Sequence, residues 1–313
     1  MIYTVTLNPA LDKTLSVPEL RPGEVHRARV IHLDIGGKGI NVSRALRMLG
    51  LESAIVAAFA GATGRAMRDG LEQIGFRGHY LWLEGETREN LTLRDESRDL
   101  YTKINEPGPR FGPEHVTALH QLVAALAAPG DIWAFCGSLP PGAPVDLYAR
   151  LIRQVQAAGG HAFLDASGPA LRKGLSAQPF ALKPNLEEAS ELLDTPLATR
   201  DAQQRAIREL QASGASMVAL SRGPMGLLLA AGDEMVEALP PAVDARSPIG
   251  AGDATLAGLI WAQVEGCDLP ETARRAVACG TAAAMQEGTG LGTRALIESL
   301  IPRVEIGESQ SLS

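Results

Sequence analysis

The chain has 313 residues, 45% of them hydrophobic and 21% charged, a balance ordinary for a globular protein. A formal net charge of −7 and the lack of a clustered basic face argue against a nucleic-acid-binding surface. The N-terminal residues lack a signal-peptide pattern, and no apolar run approaches the roughly 20 residues of a spanning helix. The scattered cysteines and histidines do not have the spacing of a zinc site. These features predict a cytoplasmic protein with no nucleic-acid or membrane partner.

Strands and helices alternate along most of the chain. Strands are predicted at 2–7, 53–59, 131–136, 162–165, 180–183 and 216–221, with a hairpin at 226–238. Helices are predicted at 40–49, 65–74, 113–127, 145–158, 186–193, 201–212, 251–265, 270–286 and 293–300, and a turn at 61–64. This alternation indicates an α/β fold with a mostly parallel, helix-covered sheet.

Two stretches interrupt the alternation. Residues 10–34 contain short apolar runs broken by prolines and a glycine, and residues 80–104 contain alternating runs about the polar turn 95–98. We expect both stretches to form one small β unit outside the main sheet. Because no internal repeat or low-complexity linker is visible, residues 1–313 are expected to form a single domain.

A glycine-rich turn precedes the predicted helix 251–265. Gly250-Ala251-Gly252 leads into a helix that is apolar on nearly every face. The unpaired N–H groups and positive dipole end of such a helix favour a phosphate or a developing oxyanion. Asp253 lies at the mouth of this site, where it could take a proton from a hydroxyl group. It could equally be a structural N-cap of the helix.

Other polar residues follow predicted strands at their carboxyl ends, where open α/β sheets bind ligands. Asp12 follows the first strand and Ser138 follows the strand 131–136, although both could be ordinary loop residues. The stretch Gly36-Gly37-Lys38-Gly39-Ile40-Asn41 offers backbone donors, one ammonium and one amide. This composition suits polyol hydroxyls or a phosphate, and a glycine-rich turn with a solvated lysine is the alternative.

Three further candidates lie on turns or at helix starts. Arg88 opens the predicted hairpin, where a guanidinium can bind a phosphate or be an ordinary strand-edge charge. Asn185 and Glu188 have the spacing of a capping box, and a contribution to Mg²⁺ through water is the alternative. The glycine-rich turn 221–226 follows a strand and could let a nucleotide approach. Neither a P-loop nor a dinucleotide fingerprint is present, which disfavours a nicotinamide oxidoreductase.

Taken in order, seven motifs resemble the PfkB branch of the ribokinase-like sugar kinases over essentially the whole chain. The motifs are N-P-A-L-D, G-G-K-G-I-N-V-S-R-A-L, G-E-T-R-E-N, G-S-L-P-P-G, L-K-P-N-L-E-E, S-R-G-P-M-G and I-G-A-G-D-A. Within that branch the likeness is to the 1-phosphofructokinases and tagatose-6-phosphate kinases in particular. The resemblance implies a central sheet covered by helices on both faces, with a small β-sheet lid inserted from about 10–35 and 87–106.

The resemblance also implies roles for individual residues. Asp253 corresponds to the catalytic base, and the N–H groups of Gly250, Ala251 and Gly252 correspond to the anion hole for the γ-phosphoryl group. The implied sugar-phosphate contacts are Asp12, Gly36, Gly37, Lys38, Asn41, Arg88 and Ser138, with Arg27 reaching the phosphate from the lid of a partner in a homodimer. The implied nucleotide contacts are Lys183, Asn185, Ser221, Gly223 and Gly226, with Asn185 and Glu188 acting on Mg²⁺ through water. Arg222 and Ala254 depart from the family's commoner leucine and serine.

The activity implied is that of an ATP- and Mg²⁺-dependent sugar-phosphate kinase. Its expected reaction transfers the γ-phosphoryl group of ATP to fructose 1-phosphate, giving fructose 1,6-bisphosphate. Tagatose 6-phosphate, fructose 6-phosphate or an unphosphorylated sugar are alternative acceptors, and Arg88 favours a phosphorylated one. A catalytically inactive sugar- or nucleotide-binding regulator is an alternative of another class, against which the intact Asp253, Asn185 and Glu188 argue.

Overall fold

The computed structural model describes residues 1–288 and 290–307 and the backbone of 310–311. In chain order the strands are β1 (Ile2–Thr6), β2 (Ala10–Val17), β3 (Arg29–Gly36), β4 (Ala54–Ala60), β5 (Arg77–Leu83), β6 (Glu89–Asp95), β7 (Leu100–Asn105), β8 (Ile132–Cys136), β9 (His161–Asp165), β10 (Ala181–Leu182), β11 (Met217–Ser221), β12 (Leu227–Ala231), β13 (Glu234–Leu239), β14 (Glu305–Ile306) and β15 (Gln310–Ser311). The helices are α1 (Lys38–Met48), α2 (Gly61–Gln73), α3 (Pro113–Leu126), α4 (Leu147–Ala157), α5 (Gly168–Leu175), α6 (Leu186–Leu193), α7 (Arg200–Ala212), α8 (Ala251–Glu265), α9 (Leu269–Ala284) and α10 (Arg294–Leu300).

The large sheet has the strand order β14-β13-β12-β11-β10-β9-β8-β1-β4-β5, and β15 also pairs with β13. The strands from β11 through β5 in this order run parallel. β12, β13 and β14 extend the sheet on one side as antiparallel strands. β1, β4 and β8 are buried at every position. Continuous apolar runs of this kind are typical of parallel strands covered on both faces. The predicted fold class is confirmed.

Helices cover both faces of this sheet because side chains of each strand alternate between two cores. Tyr3 and Val5 of β1 face a core shared with α3, α4, α5 and α7. Ile2 faces the opposite core, which α1, α8, α9 and α10 cover. This period of two is the direct consequence of strand geometry. Of the residues described, none lies in a helix that is both long and apolar enough to cross a membrane.

A separate four-stranded sheet, here called the small sheet, has the order β3-β2-β6-β7. The two interrupting stretches of the sequence meet in it, with β2 parallel to β6 and antiparallel to β3. Several of its apolar side chains are exposed, and these are Val30, Leu33, Leu100, Tyr101 and Ile104.

Three local predictions were wrong. The predicted turn at 61–64 is the first turn of α2, because the Glu86 carboxylate accepts hydrogen bonds from the N–H groups of Ala62 and Thr63 and so caps the helix from a distant loop. Residues 80–83, expected in the second interrupting stretch, belong to β5 and pair with β4 in the large sheet. Helix α5 was not predicted, although Pro169 in its first turn is a common helix-start signal.

Candidate active site

One edge of the large sheet collects most of the predicted site residues. β8, β9, β10 and β11 are neighbours in the sheet and run parallel, so their carboxyl ends meet at this edge. Asp165 and Ser221 end β9 and β11, while Lys183 follows β10 directly and Ser138 lies in the loop after β8. Such an edge is where open α/β sheets bind their ligands.

The N-terminus of α8 faces the same edge. Gly250 is the N-cap residue and has a φ of 80°, in the left-handed region that favours glycine. Asp253 lies in the first turn, and the helix has no side-chain cap. The interpretation of Asp253 as a structural N-cap is therefore wrong. Gly252 faces Lys183, since a Cβ at Gly252 would lie 3.6 Å from the Lys183 Nζ.

The Asp253 carboxylate is buried, with 8% of the residue exposed. Its Oδ2 accepts a hydrogen bond of 2.8 Å from the Nδ2 of Asn41, which α1 supplies. Burial, and next the charge of Asp165, raise the pKa of Asp253 to about 6, although Asn41, Lys38 and Lys183 act in the opposite direction. The carboxylate is therefore mostly ionised at neutral pH and more basic than an exposed aspartate.

Asp165 joins two of the predicted site residues. Its Oδ1 lies 2.8 Å from the Nζ of Lys38, and its Oδ2 lies 2.9 Å from the Nζ of Lys183. Sequence reasoning did not single out Asp165, although it ends a predicted strand in the same way as other candidates. The family resemblance implies that Lys38 lies on the sugar side and Lys183 on the nucleotide side. Asp165 brings their two ammonium groups to one carboxylate.

Asp165 and Lys38 are held in their charged forms. Burial raises the pKa of the Asp165 carboxyl, but the charges of Lys183 and Lys38 outweigh burial and hold that pKa below its ordinary value. Burial lowers the pKa of Lys38, but Asp165 and then Glu188 outweigh it and hold that pKa above its ordinary value. The edge therefore presents cationic groups beside the Asp253 carboxylate at neutral pH.

Asp12 lies near the start of β2 in the small sheet. Its Oδ1 accepts a hydrogen bond of 2.8 Å from the Nδ2 of Asn90 in β6, and burial is the largest cause that raises its pKa. Gly36 packs directly on this carboxylate, because a Cβ at Gly36 would overlap the Asp12 side chain. Gly37 has a φ of 141°, and a side chain there would also press on Thr6. Both glycines are thus required by the packing around Asp12 and β1.

Arg88 lies next to this group. Its two terminal nitrogens donate to backbone carbonyls, at 2.9 Å to Asn8 and 3.2 Å to Glu106. Within the part of the chain that the structure describes, no carboxylate forms an ion pair with Arg88. Its positive charge is therefore available to an anionic ligand.

Four buried polar atoms around Asp12, Arg88 and Asp253 have no hydrogen-bond partner among the described residues. They are Asn8 Oδ1, Asn41 Oδ1, Asn90 Oδ1 and Arg88 Nε. Buried polar atoms in proteins are nearly always paired, so a group of orphaned atoms needs an explanation. Three amide oxygens and one guanidinium N–H match the donors and acceptors of a hydroxylated, anionic ligand.

The predicted capping box at Asn185 is present. Asn185 Oδ1 accepts a hydrogen bond from the N–H of Glu188, at 2.8 Å, and Glu188 Oε2 accepts one from the N–H of Asn185, at 2.9 Å. The other Glu188 oxygen lies 3.7 Å from Lys38. Ser221 lies beside this box, because its hydroxyl donates to the carbonyl of Pro184. Searched over the described residues, the chain has no cluster of three His, Cys, Asp or Glu side chains that could bind a metal by itself.

Two predicted glycines close the turn after β11. Gly223 and Gly226 have φ angles of 59° and 79°, and a Cβ at Gly226 would overlap the carbonyl of Ala238. The Arg222 side chain is buried and forms an ion pair of 2.7 Å with Glu237. Gly226 is thus required for packing against β13.

Arg27 and Ser138 stand apart from these contacts. Arg27 is exposed on the connection between β2 and β3, and Ser138 is exposed in the loop after β8. Gly137 holds that loop against the site, because its N–H donates to the carbonyl of Asp165 at 2.8 Å. Arg27 has no hydrogen bond or ion pair with the other predicted contacts that the structure describes.

Known proteins are similar over nearly the whole chain. The model of the pfkB family of carbohydrate kinases matches residues 5–295. The chain is 38% identical over 278 residues to the 1-phosphofructokinase of Rhodobacter capsulatus, covering 88% of each chain. It is 32% identical over 292 residues to the ATP-dependent 6-phosphofructokinase isozyme 2 of Escherichia coli (strain K12), covering 93% and 94%. The tetrameric inhibited form of phosphofructokinase-2 from Escherichia coli has a TM-score of 0.90 at 30% identity, covering 96% of this chain and 98% of that one.

Proposed function

Because the chain belongs to the pfkB family of carbohydrate kinases, we propose that it transfers the γ-phosphoryl group of ATP to a hydroxyl of a ketohexose phosphate. The proposed acceptor is fructose 1-phosphate, and the product is fructose 1,6-bisphosphate. The observation that carries the proposal is the buried Asp253 carboxylate at the mouth of α8, hydrogen-bonded to Asn41 and beside the lysines that share Asp165. This arrangement provides a base and cationic groups at one point of the sheet edge.

In this mechanism Asp253 takes the proton of the acceptor hydroxyl as the oxygen attacks the γ-phosphorus. The new bond joins that oxygen to phosphorus, the bond to the bridging oxygen breaks, and ADP leaves with the electron pair. The negative charge on the transferred phosphoryl group is neutralised by the N–H groups of Gly250, Ala251 and Gly252 and by the ammonium of Lys183. Because such transition states are loose, positioning outweighs base strength, and a carboxyl pKa of about 6 suffices.

Mg²⁺ is the proposed metal cofactor, with Asn185 and Glu188 acting on it through water. Mg²⁺ is commonly held by one or two carboxylates together with substrate phosphates, and Glu188 offers one carboxylate beside the cationic edge. When bound, the ion neutralises charge on the β- and γ-phosphates. Asn185 and Glu188 supply only part of the ligand set of the ion. This fits a metal that binds together with the nucleotide, whose phosphates would supply the other ligands.

The acceptor is proposed to bind between the small sheet and Asp253. Asp12, Lys38, Asn41 and the glycines 36 and 37 would contact sugar hydroxyls, and the unpaired charge of Arg88 together with Ser138 would bind the existing phosphate. Fructose 1-phosphate is preferred because relatives named 1-phosphofructokinase include one that is 38% identical. The relative named 6-phosphofructokinase isozyme 2 is 32% identical, so fructose 6-phosphate is the second candidate, together with tagatose 6-phosphate.

An ADP-release assay with Mg-ATP and a panel of acceptors tests this proposal. The panel contains fructose 1-phosphate, fructose 6-phosphate, tagatose 6-phosphate and fructose. We expect the highest kcat/KM with fructose 1-phosphate. A higher value with another hexose phosphate would reassign the acceptor, whereas no turnover with any of them would favour a sugar- or nucleotide-binding regulator.

The pH dependence of kcat/KM should report the Asp253 carboxyl. Asp253 must be ionised to take a proton, and its pKa is raised to about 6. Because kcat/KM reports ionisations of the free enzyme, we expect kcat/KM to be constant above neutral pH and to fall as the pH decreases through about 6. The measurement is a kcat/KM profile between about pH 5 and 8. A profile that stays level down to about pH 5 would contradict the raised pKa.

We also propose that two copies pair through the small sheet, with Arg27 of each copy reaching the phosphate site of the other. The exposed apolar side chains of Leu33 and Ile104 support this surface as an interface, since exposed apolar patches are typical of interaction sites. Leu33→Glu is then expected to give monomers in sedimentation velocity and a raised KM for the sugar phosphate. A dimer that persists in Leu33→Glu would exclude this surface.

A further inference from the structure

The turn that joins β11 to β12 contains a buried arginine. Only 4% of the Arg222 side chain is exposed. One terminal nitrogen of its guanidinium lies 2.7 Å from the Oε1 of Glu237, and the other donates to the carbonyl of Met225 at 2.7 Å. The guanidinium thus connects its own turn to β13. A buried arginine in such a position is costly unless it is paired, so the contact with Glu237 defines its orientation.

Glu237 is shared between two arginines. Its Oε2 faces Arg200 at the start of α7, at 2.6 Å, while its Oε1 faces Arg222. Burial raises the pKa of Glu237, but the hydrogen bonds from Arg222 and Arg200 outweigh it and hold that pKa below its ordinary value. The two arginines differ in two respects, because Arg200 is 54% exposed whereas Arg222 is buried, and Arg222 also donates to the carbonyl of Met225.

The turn from 222 to 226 needs this restraint. Gly223 and Gly226 both have positive φ angles. Because the glycine backbone has more conformational freedom than that of any other residue, this turn is flexible unless other contacts hold it. The N–H of Arg222 donates to the carbonyl of Gly226 at 2.9 Å, and the guanidinium holds the carbonyl of Met225. Backbone and side chain of one residue therefore close the turn from both sides.

We propose that Arg222 is a positioning residue that holds the 222–226 turn ready for the nucleotide and thereby sets the affinity for ATP and ADP. The inference rests on the proposed kinase function and on the family resemblance, which implies that Ser221, Gly223 and Gly226 contact the nucleotide. A turn that is ordered before binding loses less conformational entropy on binding, and this difference appears as affinity. Arg222 acts through the backbone of the turn and does not itself contact the nucleotide.

Calorimetric titration with ADP tests the inference without requiring turnover. We expect Arg222→Met to weaken ADP binding about three- to tenfold, the usual cost of ordering one or two groups on binding. In assays the KM for ATP should rise to the same extent, while kcat and the KM for the sugar phosphate stay unchanged. Arg200→Met is the matched control, because Arg200 pairs with the same carboxylate but does not contact the turn. Its Kd for ADP should equal that of the wild type.

The outcomes separate this inference from the proposed function. An unchanged Kd for ADP in Arg222→Met, or an equal change in Arg200→Met, would overturn the positioning role. A wild-type protein that binds ADP but phosphorylates no sugar would refute the kinase proposal. The ADP titration of Arg222→Met would still decide whether Arg222 positions the turn. Should Arg222→Met fail to fold, the double variant Arg222→Leu with Glu237→Leu leaves no unpaired buried charge and must show the same weakening.

Discussion

Replacement of Asp253 by Asn is expected to lower kcat by about 10²–10⁴-fold, the usual contribution of a general base. The amide oxygen of the introduced side chain can still accept the hydrogen bond that the Nδ2 of Asn41 donates to Asp253, so the geometry of the site should persist. The Kd for the sugar phosphate should therefore remain close to that of the wild type. Steady-state kinetics and calorimetry measure the two effects separately. A kcat near the wild-type value would remove Asp253 from the role of base.

The same substitution should not destabilise the fold. Because the pKa of Asp253 is raised to about 6 in the folded protein, ionisation of this carboxyl lowers stability as the pH rises from about 4 through 6. The amide that replaces it carries no such charge. We expect the Tm of Asp253→Asn at about pH 8 to equal or exceed that of the wild type. A lower Tm would mean that the lost kcat reflects damage to the fold.

Replacement of Asp165 by Asn should have the largest effect on stability. Asp165 is 1% exposed and is the shared partner of Lys38 and Lys183. Removing one member of a buried ion pair leaves an uncompensated charge, which costs about 3–5 kcal/mol. We expect a loss of this size in the free energy of unfolding, measured in urea. The acid limb of the kcat/KM profile should also move to lower pH, because the charge of Asp165 raises the pKa of Asp253.

Asp146→Asn is the matched control for that experiment. Asp146 forms an ion pair of 2.9 Å with Arg150 on α4, but both side chains are exposed to solvent. Exposed pairs of this kind contribute about 0–1 kcal/mol. A loss in Asp165→Asn no larger than that in Asp146→Asn would show that the buried Lys183 and the half-buried Lys38 do not depend on the carboxylate.

The expected effects of Asp253 and Asp165 follow from one arrangement. Two carboxylates and two ammonium groups lie close together, and their charges shift the pKa values of Asp253, Asp165 and Lys38. The lysines hold Asp165 ionised, while Asp165 makes Asp253 more basic. Titratable groups that are buried and coupled in this way are typical of functional sites. The stability of this region and the chemistry proposed for it therefore depend on the same charges.

Residues close together in sequence were predicted well because local geometry decides their structure. The helix start after Gly250 was predicted from a glycine-rich turn before an apolar run, and the capping box of Asn185 and Glu188 from a spacing of three. Most strands and helices were likewise visible as periodic apolar patterns, including the hairpin of β6 and β7. These features need only the residues of one turn or one strand.

Contacts between distant residues were decided by the tertiary structure. Lys38 and Asp165 are 127 positions apart, and only the order of the parallel strands brings them together. The start of α2 was missed because its cap, Glu86, comes from a later loop. The sequence places Arg222 in the glycine-rich turn after β11, whereas the burial of its side chain depends on Glu237 in β13.

The sequence by itself determined the fold class, the family and the glycine-rich turns at the sheet edge, because each depends on patterns within short segments. The tertiary structure alone decided which charges share a buried partner. It also decided whether Asp253 caps its helix or turns its carboxylate to Asn41. The physical reason is that the pKa and burial of a side chain depend on all the elements packed around it, and these elements come from every part of the chain.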